Sequence, residues 1–133
     1  MKLYKKDILK ILKQYDLDSQ ECIIISGASL VLQDVKEYTH DIDITVSHKL
    51  YKELLNKHNC KFDKKINNYD IWFIDNIINF STNYYNEIES IKISNYRVQS
   101  IDSVLKLKQK LNREKDHKDI QLILNINKKS SSL

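Results

Sequence analysis

Two carboxylates, Asp41 and Asp43, sit two residues apart in the stretch His40-Asp41-Ile42-Asp43-Ile44. In an extended chain, residues i and i+2 project from one face, so both carboxylates could hold one divalent cation. Hard carboxylate oxygens suit Mg²⁺, which takes few protein ligands and completes its shell with water and phosphate oxygens. An isolated pair of this kind is also the ordinary solvated face of a half-buried strand. The residues upstream favour the chemical reading. The only glycine of the chain, Gly27, stands in Ser26-Gly27-Ala28-Ser29, directly after an apolar run. A turn of small residues between a buried strand and a helix offers backbone N–H groups to a phosphate. Glycine there permits close approach and unusual dihedrals, and Ser26 and Ser29 add hydroxyl donors. A phosphate cradle followed by a carboxylate pair is what metal-assisted phosphoryl transfer requires. No Walker or dinucleotide glycine pattern accompanies it.

The elements that must position these groups follow from periodicity. The segment from Leu3 to Leu17 places Leu3, Ile8, Ile11 and Leu12 at helical spacing opposite lysines, an amphipathic opening helix. Glu21 to Ser26 is a β-branched apolar run and predicts a buried strand. Ser29 to Val35 predicts a short helix reached through Gly27. His40 to Ser47 alternates strictly, with Ile42, Ile44 and Val46 on one face and Asp41, Asp43 and Thr45 on the other. Residues 49–59 predict a helix. Cys60 to Ile66 and Tyr69 to Asp75 predict two strands joined by a tight turn at Asn67-Asn68. Residues 77–82 and 91–100 look extended, with a loop or short helix between them. From Ser100 two helical stretches are expected, broken between Asn112 and Lys115, with Ser100 or Asp102 as the cap. Together these predict an α/β fold, a mixed β-sheet with flanking helices, in one domain over residues 1–127 with a flexible polar tail over 128–133.

At 133 residues the chain is sized for one domain with a real core. Its net charge of +4 favours anionic partners such as nucleotides and falls short of a dedicated duplex binder. No apolar run is long enough to span a bilayer, and the charged N-terminus is unlike a signal peptide. Cys22 and Cys60 show no metal-ligand spacing and suit a reducing compartment, so the expected location is cytoplasmic. Lys106, Lys110 and Arg113 share one side of the penultimate helix and read as a solvated basic face. Asp116 and Asp119 read as capping or orienting the last helix.

Ile25-Ser-Gly-Ala-Ser29 followed by His40-Asp-Ile-Asp-Ile44 resembles the signature of the DNA polymerase β-type nucleotidyltransferase superfamily. That signature is a hydrophobic strand, a glycine with a small neighbour, a spacer, then Asp-hydrophobic-Asp. Tyr69-Asp-Ile-Trp-Phe-Ile74 is similar to the strand carrying that family's third carboxylate, which implies Asp70 as third metal ligand, with Asp75 as the competing choice. Residues 103–123 resemble the lysine-bearing helix and Arg-x-Lys-Asp-x-x-Asp segment of small bacterial nucleotidyltransferases. Those include lincosamide-modifying (antibiotic-resistance) enzymes and relatives from toxin–antitoxin and abortive-infection systems. The resemblance covers residues 20–124. It implies Asp41, Asp43 and Asp70 as catalytic and metal-binding residues, and Ser26, Gly27, Ser29 and Lys108 as nucleotide-binding ones. It further implies Mg²⁺ (or Mn²⁺) as cofactor, ATP or another NTP as co-substrate, and transfer of a nucleoside monophosphate to a hydroxyl of a small molecule, protein or tRNA. The sequence departs from the pattern at Ala28, where a second Gly or Ser is usual, and at Glu37, where relatives often carry Arg.

Three further expectations complete the sequence reading. A homodimer would supply the acceptor site that so short a chain has little material to build. An inactive descendant, serving as a nucleotide-binding or partner-binding module (antitoxin or inhibitor), is the rival function, and a nucleic-acid module is a more distant one. Trp72, Phe73, Tyr84 and Tyr85 are candidates for an acceptor pocket as well as for core positions.

Overall fold

A computed structural model of the chain describes residues 1–131, with side chains to Lys128. It contains β1 (Leu3–Tyr4), α1 (Lys5–Gln14), β2 (Cys22–Ile25), α2 (Ser26–Leu32), β3 (Tyr38–Thr39), β4 (Ile42–Val46) and α3 (His48–Lys57). There follow β5 (Lys61–Ile66), β6 (Tyr69–Ile74), β7 (Ile78–Ser81), β8 (Ser90–Ile93), β9 (Tyr96–Gln99), α4 (Ile101–Leu111), a 3₁₀ turn at Glu114–Asp116 and α5 (His117–Ser131). Seven strands form one mixed sheet in the order β5-β6-β7-β4-β2-β9-β8, and β1 pairs with β3 in a separate two-stranded ribbon. The fold is α/β, as the periodicity predicted. α5 takes in residues 128–131 of the segment expected to be a flexible tail, and residues 132–133 lie outside the described residues. No helix of the described residues is long and apolar enough to cross a membrane.

β2 and β4 lie side by side at the middle of the sheet, antiparallel, with Ile24 opposite Ile44 and Ile25 opposite Asp43. The β4 pleat sends Ile42, Ile44 and Val46 into the main core, where they meet Ile8 and Leu12 of α1 and Leu50 and Leu54 of α3. Each such fully buried aliphatic side chain contributes roughly 1.5–3 kcal/mol. A second cluster joins Leu30 and Val35 to Val104 and Ile123, fastening α4 and α5 against α2. α2 therefore has no solvent face: Gly27 to Leu32 are all buried, Ala28, Val31 and Leu32 in the main core and Leu30 in the second cluster. A helix that is apolar all round is an interior helix.

With one glycine available, other residues take the left-handed backbone positions. Asn67-Asn68 and Ser94-Asn95 form two-residue hairpin turns with positive φ at both positions, and Asn112 ends α4 in the same region. Asparagine tolerates this region through its short polar side chain. Segment 82–89 forms turns rather than a helix. Ser100 caps α4, its hydroxyl accepting from the Ser103 N–H at 3.2 Å.

The turn into α2 departs from expectation in an informative way. The unusual dihedral belongs to Ser26, at φ 58°, while Gly27 stays out of the left-handed region. Gly27 is required for closeness instead: a Cβ there would lie 3.0 Å from Thr39 Oγ1 and 3.6 Å from Lys36 Nζ. α2 is thus pressed against the strand that leads into the carboxylates. Helix propensity favours alanine over glycine by up to ~1 kcal/mol, and overpacking costs ~1–3 kcal/mol. Gly27→Ala is therefore expected to cost more stability in the native background than in a Thr39→Ala background. Denaturant melts of the four proteins of the double-mutant cycle should give a coupling of about 1 kcal/mol. A zero coupling would remove close approach as the reason for the glycine.

Candidate active site

A cleft of about 460 Å³ opens between the sheet face opposite the main core and the α2, α4 and α5 side of the molecule. Asp41 and Asp43 line it together, as their i, i+2 spacing on a strand requires, and Ser26 and Gly27 at the start of α2 line it too. Sheet register defines the floor. Asp43 has Ile25 beside it on β2 and Asn79 beside it on β7, and Asn79 has Phe73 beside it on β6. Residues in register across a sheet share a face. The Asn79 Oδ1 is buried and has no hydrogen-bond partner. An acceptor oxygen left unpaired in such a position carries a desolvation cost of ~1–3 kcal/mol unless something else binds it.

Asp70 does not join this floor. Ile71 and Phe73 of β6 line the cleft, so alternation turns Asp70 away from it, and Asp70 pairs with Lys65 across the hairpin at 3.7 Å. Asp75, the alternative, sits past the end of β6 and accepts a hydrogen bond from the Tyr15 hydroxyl. Among the described residues no group of three or more His, Cys, Asp or Glu is placed to hold a metal ion. The expected trio of carboxylates is thus a pair plus an amide. The reason is topological. The strand lying parallel beside β4 is β7, and β6 is one strand further out. The position next to Asp43 is accordingly filled from Ile78-Asn79-Phe80-Ser81. One more carboxylate, Asp63, lines the cleft from a bulge in β5 between Phe62 and Lys64. A bulge re-aims a side chain that plain alternation would misplace, so the sequence pattern concealed it.

The wall facing the carboxylates is cationic. Lys108, 6% exposed, pairs with Asp116 at 3.1 Å and Asp119 at 3.4 Å. Lys36 Nζ lies 3.0 and 3.2 Å from the two oxygens of Asp119. Arg113 grips Asp116 in a fork, at 2.7 Å from Nε and 3.1 Å from Nη2. Of the lysines weighed in the sequence, Lys108 therefore faces the cleft and Lys106 and Lys110 are exposed. Lys36 was missed. It lies five residues before Asp41, next to the exposed Glu37 that occupies the place where an arginine was expected. Asp116 and Asp119 do more than begin a helix: they carry the partners that a buried ammonium needs.

Other candidates divide. Ser29 is fully buried, and its hydroxyl donates to the Ser26 carbonyl at 2.6 Å, so it stays out of the cleft. The Ser26 backbone N–H is already committed to Gln99 Oε1 at 3.0 Å. Phe73 and Tyr84 line the cleft, while Trp72 donates to the Tyr51 hydroxyl and Tyr85 lies beneath Arg97. His40 Nδ1 contacts the Met1 carbonyl at 2.7 Å and is exposed.

A family described as "Nucleotidyltransferase of unknown function (DUF6036)" matches residues 3–129. The chain belongs to this nucleotidyltransferase family. No curated protein matches it. In this family member the cleft holds both the carboxylate pair and the lysine wall, and its own residues set the electrostatics. Burial, then the adjacent Asp41, pushes the Asp43 carboxyl up to about 7, against the pull of Lys108 and Lys115. Burial is also the main cause that raises Asp41, opposed by His40 and Lys115. Asp116 goes the other way. Burial resists its ionisation, yet the bonds from Arg113 and Lys108 outweigh that and lower it.

A carboxyl that binds its proton more tightly folded than unfolded stabilises the fold at low pH, and that contribution is lost as pH rises through the folded value. For Asp43 the window runs from the ordinary 3.8 to about 7. Without added divalent cations, thermal stability should fall between pH 5 and pH 8 by a margin on the order of 1–3 kcal/mol. Asp43→Asn should flatten that slope and raise the melting temperature at pH 8. An unchanged slope in the variant would assign the pH dependence elsewhere.

Proposed function

We propose that this protein is a Mg²⁺-dependent nucleotidyltransferase that moves a nucleoside monophosphate from an NTP to a hydroxyl, releasing pyrophosphate. The acceptor is a small molecule, a protein or a tRNA. One observation carries the reading: a carboxylate pair and a lysine wall face each other across a single cleft at the start of α2. The resemblance to the polymerase β-type superfamily and the family membership support it.

The donors on the cleft floor fit a hard divalent cation. Asp41 and Asp43 offer carboxylate oxygens, and the unpaired Asn79 Oδ1 offers a third, neutral one. Mg²⁺ typically uses one or two carboxylates and takes its remaining oxygens from phosphate and water. Bound there, the cation would neutralise charge on the phosphoryl oxygens, and Mn²⁺ would serve as its substitute. Lys36 and Lys108 would take the polyphosphate arm. Phe73 and Tyr84 add aromatic side chains to the cleft lining. Catalysis of this kind is mostly positioning and charge neutralisation, and both are within reach of these side chains.

A second reading has its own support. Asn79 stands beside Asp43, where a further carboxylate would help deprotonate the attacking hydroxyl. A protein with this floor would bind a metal–nucleotide complex without transferring it, as an antitoxin-like or inhibitor-like module. Incubation with each labelled NTP, in Mg²⁺ or Mn²⁺, with fractionated lysate as acceptor separates the two. The transferase reading expects label on one acceptor fraction, stoichiometric pyrophosphate, and a loss of roughly a hundredfold or more in Asp43→Ala. Mg²⁺-dependent nucleotide binding with no label on any fraction would establish the binder instead.

A further inference from the structure

Asp119 differs from the other carboxylates of the molecule in what it joins. It is 6% exposed, stands in the first turn of α5, and bridges Lys108 of α4 to Lys36, which lies 83 residues from it in the chain. Its neighbour Asp116 does a local task, tying Lys108 to Arg113 at the turn between α4 and α5. Asp119 thus holds two ammonium groups, from separate elements, on the wall that faces Asp41 and Asp43. Lys36 Nζ is close enough to meet a Cβ built on Gly27 at 3.6 Å, so this grip also sets the distance between the cation and the start of α2.

We propose that Asp119 is a positioning residue that holds Lys36 and Lys108 at a fixed separation to receive the polyphosphate arm of the nucleotide. This rests on the nucleotide reading of the cleft and deepens it. Lysine is a flexible point charge whose ordering opposes binding when it must happen at the moment of contact. A lysine already held in place has met that cost in the folded protein. Around the wall three cations, Lys36, Lys108 and Arg113, face two carboxylates, Asp116 and Asp119, so a net positive charge remains for an anion.

The sign of the effect makes the inference testable. Removing a carboxylate beside an anion site should tighten anion binding if charge alone matters. Loss of a positioning group should weaken it. Calorimetric titration of the full chain with each Mg²⁺–NTP, with Mg²⁺–tripolyphosphate, and with the corresponding nucleoside is the measurement. Asp119→Asn is expected to weaken NTP and tripolyphosphate binding together by about tenfold, leaving nucleoside affinity as it was. Asp119→Glu should restore part of the loss. In a Lys36→Gln background, where the bridge is already broken, Asp119→Asn should cause much less further loss. Where Asp119→Asn alone folds poorly, Asp119→Glu carries the test, since it keeps the charge and displaces the carboxylate: a polyphosphate-confined loss is expected, and wild-type polyphosphate affinity overturns the positioning role. Equal or tighter polyphosphate binding in Asp119→Asn, or a loss shared by the nucleoside, overturns the positioning role alone. A wild-type chain that binds neither NTP nor tripolyphosphate overturns the nucleotide reading and this inference with it.

Discussion

β4 carries the whole arrangement because its pleat must satisfy two demands at once. Ile42, Ile44 and Val46 fill the main core, and their burial obliges Asp43 and Thr45 to face the other way. A slip of one residue would place carboxylates in the core and isoleucines in the cleft. The cost of burying unpaired charge makes that register inaccessible. Pairing with β2 on one side and β7 on the other then fixes what stands beside Asp43: Ile25, which leads into α2, and Asn79. Apolar burial thus places the polar site.

The cleft is held in electrostatic tension that the fold alone does not relieve. On the floor, burial makes two carboxylates reluctant to ionise, with Asp41 adding to the effect at Asp43 and Asp63 adding to it at Asp41. On the wall, the buried Lys108 and the half-buried Lys36 are satisfied by aspartates that serve them rather than the floor. Removing one partner from a buried ion pair costs ~3–5 kcal/mol, so these contacts are costly to rearrange. A ligand bearing both a cation and a polyanion would answer both sides together.

Parts of this were legible residue by residue. Strict alternation from Asp41 to Val46, the helical spacing of Ile8 and Leu12, and the Asn67-Asn68 turn all encode local geometry and were read correctly. Gly27 was rightly singled out as a special position. Its reason lay elsewhere, in contact with Thr39, while Ser26 took the strained dihedral. Asp70 matched a flanking pattern, yet pattern says nothing about which strand becomes the neighbour of β4. Asp63 was hidden by a bulge, and Asn79 by being an amide in a stretch read as extended but not as the neighbour of β4.

By itself the sequence determined the α/β class, the main helices and strands in order apart from the β1–β3 ribbon and the turn that divides β8 from β9, and the shared face of Asp41 and Asp43. These depend on periodicities of 2 and 3.6 and on apolar burial, which act over a few residues. Only the tertiary structure decided that Asn79 completes the floor, that Asp70 stands outside, and that Lys36 and Lys108 are joined by Asp119. Those outcomes depend on strand order and on contacts between residues far apart in the chain. No local pattern encodes such pairings, because they are chosen by how the elements pack.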